Sequence, residues 1–312
     1  MPSPEHEAVV AAILDNRITG EVSLDERRAG YDAMLGAFPL PDDVEVTPIS
    51  IEHLDADWVT VPDATTGVTI LYLHGGGYVI GSNVAYREFG GRLSRAARSR
   101  VCLLNYRLAP EHPFPAAVED AVLAYRWLRG QGLPASDIVI AGDSAGGGLT
   151  LATLLALKEA GDVLPRCAVV LSPWTDLAGT GATLAPGAVD DPLIQVEGIG
   201  EMAVHYAGED LRNPLVSPLY GDFDGLPPLL VQVGAREVLL DDARRLVDRA
   251  RAAGVEVTYF EGDGLIHVWP VLAPAAPESA AALDQVGRFI AAQGASAASA
   301  DSTGPAATAG ST

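Results

Sequence analysis

Gly142, Asp143, Ser144, Ala145 and Gly146 stand between two apolar runs, and the reading of these five residues decides the fold. Upstream, Ile138, Val139, Ile140 and Ala141 have the composition of a short buried strand. Downstream, Leu149 to Leu157 predicts a helix that is apolar on nearly every side. Ser144 therefore falls on a strand-to-helix turn, the arrangement called a nucleophile elbow. Such a turn strains the backbone at the serine and requires small residues two before and two after it, so that strand and helix can approach; Gly142 and Gly146 meet that requirement. In a chain with 33 glycines the five-residue pattern alone is weak. A plain turn whose serine merely caps the helix fits the same residues, and only a matching base and acid elsewhere decide between the two.

The 312 residues suffice for one large α/β domain with decorations. A net charge of -21, from 41 acidic and 20 basic residues, would repel nucleic acid and anionic membrane surfaces, so neither is expected as a partner. Cys102 and Cys167 lie in apolar, strand-like runs and read as buried core thiols rather than a disulfide or metal pair, which suits a reducing compartment. Residues 1–12 carry no basic region before an apolar stretch, and no apolar run approaches membrane-spanning length. A cytoplasmic protein without metal or cofactor is expected, and a homodimer is left open.

Outward from the elbow, His6 to about Phe38 predicts helices, the second over Asp25 to Leu35, that either cover the fold or join a lid. Val44 to Ile51 and Asp57 to Val61 predict an antiparallel pair at a sheet edge. Further strands are expected over Val68–Leu73, Val101–Asn105, Asp137–Gly142, Cys167–Leu171, Leu229–Val233 and Val255–Phe260. Helices are expected over Ala116–Arg129, Asp241–Ala253 and about Pro277–Ala292. Residues 178–226 turn to Pro, Gly and Asp with weak periodicity, too long for an ordinary connection, and read as a cap insertion. The expected division is 1–40 as an N-terminal helical cap segment, 41–293 as the main α/β domain and 294–312 as a disordered tail of small residues. Alternating strands and helices require a mainly parallel sheet, whose ligands bind beyond the carboxyl ends of its strands.

Several of those ends carry chemistry. The strand ending at Leu73 runs into His74, Gly75, Gly76, Gly77 and Tyr78, and consecutive glycines leave backbone N–H groups unshielded, able to stabilise an oxyanion. A flexible turn fits as well; a phosphate loop does not, lacking its Lys and Ser or Thr. A serine nucleophile needs an imidazole held by a carboxylate, in the chain order Ser, acid, His. Only His205 and His267 follow Ser144; His205 falls in the cap-like segment, whereas His267 follows the final strand. For the acid, Glu237 lies in the loop after the strand ending at Val233, while Asp241 and Asp242 open a helix and read as its N-cap or first-turn anions. Asp143 precedes Ser144 and is out of order. Arg107 and Glu111 are placed to pair and hold their loop near the glycines, or to form a solvated ion pair of little worth.

His74 to Gly77, the loop Tyr106 to Glu111, the elbow at 142–146 and His267 with Val268 and Trp269 together resemble the hormone-sensitive-lipase-like (bacterial type IV) carboxylesterases of the α/β-hydrolase fold, over most of the chain. The resemblance implies a mainly parallel eight-stranded sheet flanked by helices, with a helical cap made by the segment before the first strand and the one after the sixth. It also implies that Gly76, Gly77 and Ala145 donate the oxyanion-hole N–H groups. His74, Gly75, Asp143, Gly142 and Gly146 complete the motifs. Many members have Asp where this chain has Glu237, and either acid can orient an imidazole. The run Glu237 to Asp242 and the stretch His267, Val268, Trp269 further resemble bacterial acetyl-hydrolases and monoterpene ε-lactone hydrolases. The expected activity is cofactor-free hydrolysis of a small ester or lactone through an acyl-enzyme. Amidase or arylformamidase chemistry would use the same triad. A receptor similar to the plant gibberellin receptors would keep the serine and lose the histidine, and here His267 is present.

Overall fold

The computed structural model describes residues 1–16 and 22–301, with side chains to residue 294. Eight strands form one sheet: β1 (Glu45–Ile51), β2 (Leu54–Thr60), β3 (Thr69–Leu73), β4 (Arg100–Leu104), β5 (Ile138–Asp143), β6 (Cys167–Leu171), β7 (Leu229–Gly234) and β8 (Val257–Gly262). Their order is β1-β2-β4-β3-β5-β6-β7-β8, antiparallel at β1/β2 and β2/β4 and parallel from β4 to β8. From β3 the chain moves one way to β4; from β5 it moves the other way through β6, β7 and β8. The order therefore reverses between β3 and β5, and a ligand crevice is expected at that switch point.

Both faces of the sheet are covered, which is why the central strands read as unbroken apolar runs. Along β3, Leu71 and Leu73 enter one core with α4 (Ala116–Gly130), α5 (Ala145–Glu159) and α7 (Leu240–Ala252). Ile70 and Tyr72 enter the other with α3 (Arg87–Ala97) and α9 (Pro277–Asp301). The sequence reading passed over α3. Gly90 and Gly91 interrupt its apolar pattern because they supply contact without a side chain: a Cβ on Gly91 would stand 2.8 Å from Val44, and one on Gly90 3.2 Å from Leu103. Helix α9 runs beyond its expected end near Ala292, in keeping with the high helix propensity of alanine. Of the expected disordered tail, residues 302–312 lie outside the described residues.

Before the sheet lie α1 (Pro4–Asp15) and α2 (Leu24–Gly36), and between β6 and β7 lies α6 (Val196–Ala207). The first two are tied to loops at the sheet's carboxyl edge. On α1, the buried His6 accepts the Ile266 N–H at 3.3 Å. On α2, the Arg28 guanidinium donates to the Val79 and Ala109 carbonyls and bidentately to Glu111. This corrects the expected pairing of Arg107 with Glu111: Arg107 instead grips Asp120 of α4, buried one turn into that helix, at 2.7 and 2.9 Å. Residues 4 apart in sequence lost to partners supplied by the tertiary fold.

Asp241 and Asp242 stand in the first turn of α7, as one of the two expectations had it, but neither is its N-cap. The N-cap of α7 is Leu239, with no side-chain cap. The fully buried Asp242 carboxylate crosses to the loop after β6, accepting the Thr175 and Asp176 N–H groups at 2.9 and 2.8 Å and pairing with Arg245; Asp241 accepts the Ala182 N–H at 2.9 Å. These acids anchor the segment after β6. Asp242→Asn is expected to lower unfolding free energy by about 1 to 3 kcal/mol, the cost of leaving buried donors without their acceptor. Urea unfolding measures it, and a change below the scatter between wild-type preparations would show that the anchor is dispensable. Among the described residues no helix is long and apolar enough to cross a membrane.

Candidate active site

Ser144 joins β5 to α5 with φ +52° and ψ -120°, a conformation that side chains rarely adopt and that lifts its hydroxyl off the end of β5. The flanking glycines are there for lack of room: a Cβ on Gly146 would lie 2.0 Å from the Leu73 carbonyl oxygen, and one on Gly142 2.3 Å from that of Gly146. The Ser144 backbone is pinned from both sides by β6 and the residues after it, its N–H donating to Leu171 and its carbonyl accepting from Trp174.

Three sequence-predicted side chains meet here. Ser144 Oγ lies 2.9 Å from His267 Nε2, and His267 Nδ1 lies 2.8 Å from Glu237 Oε2. They come from residues 144, 237 and 267, at the ends of β5, β7 and β8, and the last two are fully enclosed while the serine keeps 9% exposure. Burial alone would push the imidazole toward its neutral form. The adjoining Glu237 carboxylate, with lesser help from Asp191 and Asp143, outweighs that and holds the His267 pKa above the ordinary 6.5. His205 sits on α6, away from this chain of contacts.

At the end of β3 the Val79 and Ile80 N–H groups both bond the Gly76 carbonyl, at 3.0 and 2.9 Å, closing the glycine stretch into a tight turn. Gly76 and Gly77 take φ +114° and +62°. Ala145 opens α5, so its N–H belongs to the first turn, where no helix carbonyl can take it. His74 is buried, stacked on Tyr106 with ring centroids 4.3 Å apart, and its Nδ1 donates to the Gly75 carbonyl at 2.7 Å. Burial pulls its pKa to about 4, so it is neutral and supports the loop.

Asp143 proves to be more than part of a motif. Its buried carboxylate accepts from the Gly75 N–H and Tyr72 hydroxyl on one oxygen and from the Tyr86 hydroxyl on the other, at 2.8 to 3.0 Å, and Tyr86 meets Tyr31 of α2. Burial raises its pKa to about 6, against the pull of these donors. The glycine loop is thus tied to the residue before Ser144. Helix α6 closes over the loop from the other side: Tyr206 stacks on Tyr78 at 3.8 Å, and the Met202 thioether occupies the space where a Gly77 side chain would stand. Sequence reasoning missed Tyr31, Tyr72, Tyr86 and Met202, because nothing local marks a tyrosine or methionine that acts across the fold.

Serine, imidazole and carboxylate in series beside unshielded N–H groups, at a sheet's topological switch point, is the arrangement of a hydrolase. A family model for the α/β-hydrolase fold matches residues 70–271. The chain belongs to the α/β-hydrolase family. This hydrolase is 45% identical over 295 residues to the acetyl-hydrolase of Streptomyces hygroscopicus, covering 93% of this chain and 97% of that one. Among solved structures it is similar to an esterase from the bacterial hormone-sensitive lipase family, with a TM-score of 0.90 and 45% identity over 94% of this chain and 99% of the other. It is equally similar in fold to the esterase EstE5 from crystals soaked with p-nitrophenyl butyrate, with a TM-score of 0.90 and 43% identity over the same shares.

Proposed function

We propose that this hydrolase is a serine carboxylesterase acting on short-acyl esters through an acyl-enzyme. The observation that carries the reading is the unbroken series Ser144 Oγ, His267 Nε2, His267 Nδ1, Glu237 Oε2 with both contacts under 3 Å. His267 takes the Ser144 proton as Oγ attacks the ester carbonyl, Glu237 stabilises the resulting imidazolium, and the N–H groups of Gly76, Gly77 and Ala145 receive the tetrahedral oxyanion. His267 then protonates the departing alcohol, and a water activated by the same imidazole releases the acid and frees Ser144. Relatives named as an acetyl-hydrolase and esterases support this substrate class.

Helices α1 and α2 and residues 178–226 form the cap in this reading. A cavity of about 460 Å³ between α6 and the segment after β6 is lined by Trp174, Leu177, Leu184, Ile199 and Ala203, and Trp174, whose N–H donates to the Ser144 carbonyl, makes it the candidate acyl site. Helix α6 has 12 residues, short for lining an extended acyl groove, so kcat/KM is expected to fall steadily from butyrate to laurate esters. A rise along that series, or activation at a lipid interface, would overturn the short-acyl preference. A panel of p-nitrophenyl esters with one aryl amide and one lactone tests the activity itself: ester turnover should dominate, whereas preference for the lactone or amide would reassign the substrate on the same triad.

The oxyanion role is tested at Gly76. A Cβ there would stand 2.2 Å from the Ile80 carbonyl oxygen on a backbone at φ +114°, so Gly76→Ala must shift the loop. The expected loss is about 2.7 to 4 kcal/mol of transition-state stabilisation, the cost of one misplaced donor. A variant with native circular dichroism and wild-type kcat would move the donor role to other groups.

A further inference from the structure

We propose that Ser172 is a positioning residue for the triad, its hydroxyl fixing Glu237 and the backbone behind His267 in one geometry. The inference rests on the esterase reading above. Ser172 is the first residue after β6 and fully buried. Its Oγ donates to Glu237 Oε1 at 2.6 Å and accepts the Val268 N–H at 3.0 Å. Glu237 Oε1 also accepts the Gly234 N–H at 2.5 Å, so one carboxylate oxygen is held by two donors while the other faces the imidazole.

That division matters because Glu has one more rotatable bond than Asp. A glutamate held only by its histidine could turn its carboxylate and lose the Nδ1 contact; one held through Oε1 presents Oε2 in a fixed direction. The same hydroxyl grips the residue after the base, so acid and base are referenced to a single atom. A hydroxyl is the group suited to this, since it donates and accepts at once.

The surrounding backbone points the same way. Ser172 sits at φ +48°, where glycine would be at ease and a side chain costs energy, a position that a serine holds for the sake of its side chain. Its own N–H is fixed to the Gln232 carbonyl at 2.7 Å. On either side of it, Leu171 accepts the Ser144 N–H at 2.8 Å and Trp174 donates to the Ser144 carbonyl at 2.9 Å. The turn from 171 to 174 thus touches the nucleophile's backbone, the acid's carboxylate and the backbone following the base.

The test compares Ser172→Gly and Ser172→Ala with wild type, in the full chain, on an ester that wild type turns over. Both variants remove the hydroxyl and leave the buried Val268 N–H without its acceptor; glycine also relieves the backbone strain, which offsets part of that cost, and native circular dichroism is established for each variant first. Both should lose about 10- to 100-fold in kcat, as for a buried hydrogen bond to a charge, with KM near wild type. The far-downfield proton resonance of the His267 Nδ1–H should move or broaden, which a role in stability alone would leave unchanged. Wild-type kcat with an unmoved resonance in either folded variant would overturn the proposal, as would a loss confined to KM. An inactive Ser144→Ala beside a fully active Ser172→Gly removes this inference alone, whereas an active Ser144→Ala removes the esterase reading beneath it.

Discussion

Ser144→Ala is expected to fold normally and to lose on the order of 10⁶ in kcat, because deleting the nucleophile of a triad costs about as much as deleting the whole unit. The hydroxyl meets His267 Nε2 at 2.9 Å, and the side chains packed around it offer no second nucleophile: Asp143 is engaged by two tyrosines and the Gly75 N–H, and Ser172 by Glu237 and Val268. Alanine at φ +52° bears a strain similar to that of serine, so the melting temperature should change little. Residual turnover should not vanish, since the donors proposed in the glycine loop would still bind the oxyanion of a water attack, worth about 10³ to 10⁴ over the uncatalysed rate. Measured kcat in a preparation with native circular dichroism decides the matter, and turnover within tenfold of wild type would remove Ser144 from the chemistry.

Glu237→Gln should fold, keep most of the shape of the site and lose up to about 10⁴ in kcat. The amide can no longer stabilise the imidazolium, and it can present its NH₂ group toward Nδ1, which selects the wrong tautomer for taking the Ser144 proton. A second readout gives the sign independently. Glu237 favours the charged form of His267 and, against burial, holds its pKa above 6.5. Activity requires the neutral imidazole, so the acid limb of the wild-type kcat/KM profile should lie above pH 6.5 and move to lower pH in Glu237→Gln. Asp241→Asn should leave both kcat and the limb in place, because Asp241 binds the Ala182 N–H and Arg245, away from the imidazole. Loss of activity in Asp241→Asn with Glu237→Gln near wild type would reverse the assignment of the acid.

Much of this site could be read in the sequence because its parts are local. The elbow is set by steric demands within five residues, the glycine loop by three consecutive residues, and the order Ser, acid, His by the chain itself. The central strands were foreseen near their places because a sheet covered on both faces needs continuous apolar runs there. What escaped was whatever depends on contact between distant residues. Arg28 reaches Glu111 across 83 positions and leaves Arg107 to Asp120, which a reading of neighbours cannot supply. Helix α3 hid behind Gly90 and Gly91, whose contribution to packing is the absence of a side chain. Asp242 stands in the first turn of α7, one of its two expected places, but its carboxyl also ties down the turn after β6, which nothing nearby in the chain announces. Ser172 was visible as a polar residue at a strand end, but one hydroxyl between an acid and the backbone beyond a base has no signature along the chain.

The central claim, an acyl-enzyme on Ser144, is tested most directly by mixing the enzyme with p-nitrophenyl acetate, quenching within one turnover, and locating the added mass by peptide mass spectrometry. The account predicts a burst of nitrophenol approaching one equivalent and a single acetyl group on the peptide holding Ser144, both absent in Ser144→Ala. Hydrolysis that proceeds at the wild-type rate with no acetyl on that peptide, or with the acetyl on another residue, would contradict it.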